Sequence, residues 1–470
     1  MPLMLAALIG AASPAQVSSE RRQPTQATVS HIGSHWTIEY RLGEKARSWV
    51  FPVSAPALAS HEPWRQHQWH VLTPDVTIER EGAYDVLRAS GGRYLPPIVR
   101  IDFTPTNMTL DREYDPAVLF SNGAVALYSD QFDMVPDHSP DPIAARPSGQ
   151  SVEELGGTHL DVRFHDSAGP VFVRGERLAD PVLAGAATYV VFGAAHVEEG
   201  ADVAILADPA LPAWLKTELL AFTPQVAARY TARLGDRLET GRPLLLMGWR
   251  GPTPGKVIND GGVRPGEILL NFEGEGLVDR NVGAARRARW FIAHEMAHFW
   301  LGSSGVKYRS PADAWITEGG AEMMAFTLLA ASDHDYALAE LQRAVDDCVR
   351  FAVKPIAGAG DRHESRAFYA CGTVFALAGS NAIRKTGGRD YFDFIRPLLD
   401  THRTDRLLGQ SDWLTRFNAV TGDAATGDIM REMLEKGVSD PAARIASLFE
   451  RTGVGYSKSG GALLLAPSAI

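Results

Sequence analysis

This 470-residue chain is poor in cysteine, poor in clustered positive charge and free of long apolar runs. Its two cysteines, Cys348 and Cys371, permit at most one disulfide. Both lie in stretches of helical character, so the plainer expectation is a pair of buried thiols, with a bridge allowed if the protein is exported. Lys and Arg number 46 against 56 Asp plus Glu, giving a formal charge of −10, and no Lys/Arg block runs along the chain. Nothing here would track a phosphate backbone, which argues against nucleic acid as a partner. No uncharged apolar run reaches the ~20 residues that a bilayer crossing needs, so no integral membrane segment is expected.

The first charged residue is Glu20. Before it, MPLMLAALIGAASPAQ joins a short apolar run to small residues, with Ser13 and Ala15 flanking a candidate cleavage point. Residues 1–22 are therefore expected to be a signal peptide or a disordered N-terminus, although no Lys or Arg precedes the apolar run. The expected location is exported, periplasmic or secreted, with the cytoplasm as the alternative.

What the chain does have is 45% apolar residues, enough for more than one core. Between residues 30 and 207 the pattern has period two: Trp36, Ile38, Tyr40 and Leu42 alternate with polar residues, as do Val99, Ile101 and Phe103, then Leu160, Val162 and Phe164. Such alternation marks half-buried strands, here an antiparallel, sandwich-like β domain. Beyond Pro212 the period changes. AWLKTELLAFTPQVAARYTARLG reads as a helix, PLLLMGW and EILLNF as short strands, and nearly everything after Asn281 as helix. The expected fold class is thus α+β and multidomain: a β domain over 30–207, a mainly helical domain over 212–400, a helical segment over 401–458 and a loose tail over 459–470.

Within the helical half, WFIAHEMAHFWL (290–301) sets His-Glu-x-x-His into an otherwise apolar segment. The stretch GAARRARWFIAHEMAHFWLGSSG has the residues of one helix, and on a helix positions four apart share a face. His294 and His298 can then give nitrogens to one Zn²⁺ while Glu295 beside them takes a proton. Two core histidines bonded to backbone would be the bland reading, but it leaves an intervening glutamate buried to no purpose. A catalytic zinc generally has three protein ligands. PADAWITEGGAEMMAFTLLA (311–330) reads as a second helix with Glu318 and Glu322 on one face, Glu318 as third ligand and Glu322 as acceptor from a ligand imidazole.

HEMAHFWLG followed by AWITEGGAEMMA resembles the signature of the gluzincin metallopeptidases of the aminopeptidase N and leukotriene hydrolase family. The resemblance spans about residues 215–400. It implies a thermolysin-like, mainly helical zinc-peptidase domain behind the β domain, one Zn²⁺ per chain, and a peptide or small-molecule substrate. It also implies an oxyanion-stabilising tyrosine, a role that falls on Tyr369 in FYACGTVFALAG. Two departures stand out. The interval from His298 to Glu318 is one residue longer than is usual in that family, an excess the segment VKYRSPAD can absorb. The family's Gly-x-Met-Glu-Asn motif, whose glutamate holds the substrate's amino terminus, is missing; the corresponding stretch is NDGGVRPGE, with Asp260 and Glu267 as its nearest acidic residues.

The expected activity is therefore zinc-dependent peptide hydrolysis, aminopeptidase-like. The alternatives are a zinc hydrolase acting on substrates without a free amine, as an endopeptidase or an epoxide-opening enzyme does, and a non-catalytic relative used for binding. His363 and Arg366 are further residues that could line the cleft, while EGEG (273–276) and ARRAR (285–289) read as solvated turn and helix start.

Overall fold

The computed structural model describes residues 24–111, 113–199, 203–238, 243–302 and 304–470. The segment read as a signal peptide lies outside them. The period-two segments form strands as expected: His35–Arg41, Ile98–Phe103 and Asp161–Asp166 sit in a six-stranded sheet whose inward residues Ile38, Tyr40, Val99, Ile101, Val162 and Phe164 are all buried. This sheet shares one apolar core with a four-stranded and a five-stranded sheet. The domain is not purely antiparallel, because Gln26–Ile32 pairs in parallel with Asp161–Asp166, a partner brought alongside by a long crossover rather than by a hairpin. A single helical turn, α1 (Arg65–Gln68), buries Arg65 against Phe51, Trp64 and Trp69, its guanidinium 2.7 Å from Asp85.

A second five-stranded sheet follows, in the order Val197–Glu199, Ala204–Ala207, Leu244–Trp249, Glu267–Glu273, Ile258–Arg264. The three central strands run parallel and the two outer ones antiparallel. Both faces are covered, which is why PLLLMGW and EILLNF are continuous apolar runs rather than alternating ones. On one face lie α2 (Ala213–Leu234) and α3 (Val282–Ala297); on the other, Ala204, Leu206, Leu244, Leu246 and Leu269 meet Val118, Phe120, Tyr128 and Tyr189 of the β domain. The strand Ile258–Arg264 forms the sheet edge on the side of the site.

The remaining helices are α4 (Ala314–Ala330), α5 (His334–Phe351), α6 (Arg366–Lys385), α7 (Tyr391–Thr401), α8 (Gln410–Thr421), α9 (Ala424–Glu435) and α10 (Pro441–Thr452). Several begin on side-chain caps, Asn281, Asp333, Asp390, Asp423 and Asp440 each accepting a backbone N–H of the first turn. Helices α4 and α6 cross at unusually close range. A Cβ on Gly319 would fall 2.1 Å from the Gly372 carbonyl carbon, and one on Gly372 would fall 2.1 Å from the Trp315 oxygen. Only glycine at both positions lets the two backbones touch.

Three further expectations change. The helix carrying His-Glu-x-x-His stops at Ala297 instead of running to Gly302, its last turn tightened by i→i−3 bonds from His298, Phe299 and Trp300 before the chain turns back at Gly302, where φ is +156°. The two cysteines are not free thiols: Cys348 on α5 and Cys371 on α6 form a disulfide, their Cα atoms 4.7 Å apart. The expected loose tail is a hairpin, Tyr456–Ser459 with Ala462–Leu465, because Leu463 and Ala469 bury themselves and Gln342 of α5 bonds the backbone of Leu463 and Leu465.

Candidate active site

The i, i+4 spacing on α3 brings His294 and His298 onto one face, with Nε2 atoms 3.3 Å apart. The two-residue strand Lys307–Tyr308 and the 3₁₀ turn Pro311–Asp313 lead into α4, which places Glu318 Oε2 3.7 Å from both nitrogens. All three side chains thus offer ligand atoms within 4.8 Å of one another. Two lone-pair nitrogens facing each other at that range repel unless something positive lies between them. Bonds of about 2.0–2.1 Å to a tetrahedral ion would set ligand nitrogens about 3.3–3.4 Å apart, so the spacing of this pair suits zinc.

His298 carries its own orientation. Its Nδ1 is 3.0 Å from the Leu301 carbonyl, an acceptor only, so Nδ1 holds the proton and Nε2 keeps its lone pair. His294 has no such support: its Nδ1 is buried without a hydrogen-bond partner. The acceptor expected there, Glu322, is fully buried nearby, but its Oε2 receives the Trp290 indole N–H at 2.7 Å, while Oε1 lies 3.6 Å from Arg366. Trp290 was not singled out from the sequence, although its position one helical turn before His294 was a usable signal.

The electrostatics follow from burial around mutual charges. Burial opposes charge on Glu318, yet His298 and His294 hold its carboxyl well below the usual range. Burial likewise opposes a proton on His294, but Glu318, Glu322 and Glu295 outweigh it and raise that imidazole above its ordinary value. A cation bound there would take over the neutralising role of that proton. Glu295, on the same helix, is pushed up by burial and pulled back by both imidazoles.

Tyr369 arrives on α6, across the glycine crossing from Glu318. Its ring stacks on His294 with centroids 5.7 Å apart, and its hydroxyl is one of the groups that hold the Glu318 carboxyl below its usual range. That carboxylate and burial push the phenol well above its normal pKa, so it remains a donor. Of the other residues marked from sequence, Arg366 pairs with Asp347 at 2.9 Å and reaches Glu322, whereas His363 is exposed at 73% with Asp111 3.7 Å away. Asp260 lines a cavity between the two domains and is held by Arg250 at 2.9 Å; Glu267 is fully buried, accepting from Thr188 Oγ1 at 2.7 Å and the Tyr189 N–H at 3.0 Å.

No family model and no curated protein matches this sequence. Among solved structures the chain is similar to an aminopeptidase N family protein from Idiomarina loihiensis, 11% identical over 93% of this chain and 79% of that one, with a TM-score of 0.64. It is also similar to native yeast LTA4 hydrolase, 14% identical over 89% of this chain and 68% of that one, with a TM-score of 0.51. At these identities the likeness is one of fold: the chain shares with both an N-terminal β domain followed by a mainly helical domain.

Proposed function

We propose that this chain is a zinc-dependent hydrolase of peptide bonds, with His294, His298 and Glu318 holding the ion. The observation that carries the reading is the convergence of those three donors from two helices, with Glu295 and Tyr369 beside them. Bound zinc would polarise the scissile carbonyl and bring the pKa of water from about 15.7 toward about 7. Glu295 accepts the proton of the attacking water and passes it to the departing amine. Tyr369, kept protonated by its surroundings, donates to the oxygen on which negative charge develops. His298 is oriented by the Leu301 carbonyl, so one ligand is set before the ion arrives.

An aminopeptidase needs a carboxylate to receive the substrate's ammonium. Asp260 and Glu267 are both engaged by protein groups. That favours the second reading, a hydrolase of substrates without a free amino terminus. The Cys348–Cys371 bridge supports an exported location, since disulfides persist in oxidising compartments. Among the described residues no helix is long and apolar enough to cross a membrane.

The test is metal analysis of the purified chain together with cleavage of matched free-amine and N-blocked peptides. One equivalent of zinc and chelator-sensitive cleavage are expected. A chain that binds no zinc, or binds it and cleaves nothing, would leave only the binding reading.

A further inference from the structure

Between the β domain and the edge strand Ile258–Arg264 lies a cavity of about 570 Å³ that the chemistry above does not use. Six carboxylates line it: Glu113, Asp115, Asp130, Asp133, Glu153 and Asp260. Four of them share two cations. Arg250 holds Asp115 at 2.5 Å and Asp260 at 2.9 Å, while His159 lies 2.7 Å from Asp133 and 3.4 Å from Glu153. The other two have only neutral partners among the described residues. Glu113 accepts the Ala55 N–H at 2.9 Å, and Asp130 accepts from the Ser129 hydroxyl at 2.7 Å, the Ala187 N–H at 2.9 Å and Tyr128 at 3.5 Å. Cations farther off are already engaged: Arg65 acts on Glu113 but is paired with Asp85, and Arg264 acts on Asp115 but stands opposite Glu267 across the hairpin. Negative charge is in excess on these walls.

Two further observations mark a place for a ligand rather than a solvated acidic surface. Asp115 lines the cavity although it is only 5% exposed. Arg250 and the Asn271 amide both bond its Oδ2, and its Oδ1 takes no hydrogen bond among the described residues. A carboxylate oxygen buried without a donor is costly. Burial accordingly pushes this carboxyl up to about 7 in spite of Arg250, and raises Glu113 and Asp133 as well. The second observation is aromatic. Tyr114 and Tyr128, with ring centroids 5.4 Å apart, form part of the wall, and burial, then Asp130 and Glu113, push the Tyr128 phenol up, so both carboxylates stand near that ring. Rings with carboxylates beside them suit a long apolar stem that ends in a cation.

The cavity adjoins the helix that carries the histidines. Gly261 belongs to its lining, and a Cβ on Gly261 would stand 3.2 Å from the ring of Phe291, about one helical turn before His294. On the opposite face a Cβ on Gly262 would meet Tyr114 at 3.3 Å. Through this glycine pair the strand presents bare backbone to α3 on one side and to the cavity wall on the other. An α-ammonium sits too close to its own carbonyl to reach round that strand, whereas a lysine or arginine side chain has the length.

We propose that the interdomain cavity receives a basic side chain of the substrate, its cationic end among Glu113, Asp115 and Asp130 and its stem along Tyr114 and Tyr128. This rests on the hydrolase reading and deepens it: the substrates are peptides with a lysine or an arginine near the scissile bond.

The test reads binding without turnover. Zinc-loaded E295Q protein is titrated calorimetrically with N-acetyl tripeptide amides carrying lysine, norleucine, arginine, citrulline or glutamate at each position in turn, and with the norleucine peptides as free amines. Norleucine and citrulline keep the stems of lysine and arginine and remove the charge. At one position lysine or arginine is expected to bind about ten-fold or more tighter than its neutral counterpart, with glutamate weakest and the free amine gaining less than about three-fold. The tighter of the two names the preferred cation. Adding E113Q, which keeps an acceptor for the Ala55 N–H, should bring the charged and neutral forms to within about three-fold and leave zinc content and norleucine affinity unchanged. The ranking in the E295Q protein needs no change at Glu113, so it stands even if E113Q fails to fold. No charge preference at any position, no binding of any peptide, a larger gain from the free amine than from the basic side chain, or a preference unchanged in folded E113Q would each overturn the proposal. Cleavage by wild-type protein is scored separately: a chain that prefers lysine or arginine and cleaves nothing loses the hydrolase reading and keeps the cavity site, whereas one that cleaves the peptides without any charge preference loses the cavity site alone.

Discussion

At the scale of single residues the proposed function separates residues that would hold the ion from residues that would react. Glu295 is not among the three grouped donors, so E295Q should retain zinc while kcat falls by about 10²–10⁴-fold; retained turnover with full metal content would remove Glu295 from the chemistry. Tyr369→Phe keeps the ring stacked on His294 and deletes the donor, for an expected loss of about 3 kcal/mol of transition-state stabilisation, read in kcat rather than KM. The residues with motif spacing, His294, Glu295, His298, Glu318 and Glu322, could be named from the chain because their positions obey helical periodicity. Trp290 and Arg264 could not be named with equal ease, for a physical reason. An indole N–H is a donor only where folding places an acceptor before it, and an arginine in a short strand looks solvated until the other domain is known to cover it.

Among elements, the α4–α6 crossing decides whether Glu318 and Tyr369 meet. Gly372→Ala would set a Cβ 2.1 Å from the Trp315 oxygen and 2.9 Å from the Gly319 Cα, backbone atoms that cannot rotate away. An expected cost of about 1–3 kcal/mol in stability should be accompanied by weaker zinc binding. Gly379→Ala on the same helix meets the Phe394 ring at 3.3 Å and is the control; if it harms zinc binding as much, the crossing is not what sets the site. A second element contact joins α2 to α7, where Arg233 holds Asp390 at 2.6 Å and Asp393 at 3.0 Å. Hydrogen bonds from Arg389 and Arg233 keep Asp393 far below the usual carboxylate range. A carboxylate whose folded pKa is lowered stabilises fully above its unfolded value of about 3.9 and loses that contribution as pH falls through the folded value. D393N should therefore lower the unfolding midpoint at pH 6 by the equivalent of about 1 kcal/mol, and the gap to wild type should close as pH approaches 2. Elements were the most legible level of this sequence. Periodicity marked the helical second half and five of the strands, and it failed where local pattern yields to tertiary contact: the shortened α3, the C-terminal hairpin anchored by Gln342, and the disulfide that only the packing of α5 on α6 could reveal.

For the whole molecule, the two domains are joined by burial rather than by a linker alone. Leu206, Leu244, Leu246 and Leu269 of the second sheet are each no more than 3% exposed because Val118, Phe120, Tyr128 and Tyr189 of the β domain cover them. Polar groups are shared across the same boundary: Glu267 finds its acceptors' complement in Thr188 and Tyr189, and Arg264 is enclosed by rings of the β domain. A chain beginning at residue 203 would expose that apolar face and leave a buried carboxylate without its donors, an arrangement costing about 1–3 kcal/mol for each unpaired group before any surface term is counted. It should bind hydrophobic dyes and self-associate rather than fold as a free catalytic unit. In the intact chain the same sharing predicts coupled unfolding. Calorimetry should show one transition in which the β domain and the helical domain melt together, and L246D, placed at the centre of the shared face, should lower that single midpoint without dividing it. Two well-separated transitions in wild-type protein, or a soluble fragment from residue 203 that binds zinc as tightly as the full chain, would mean that the β domain is an accessory and not part of the structure that holds the site.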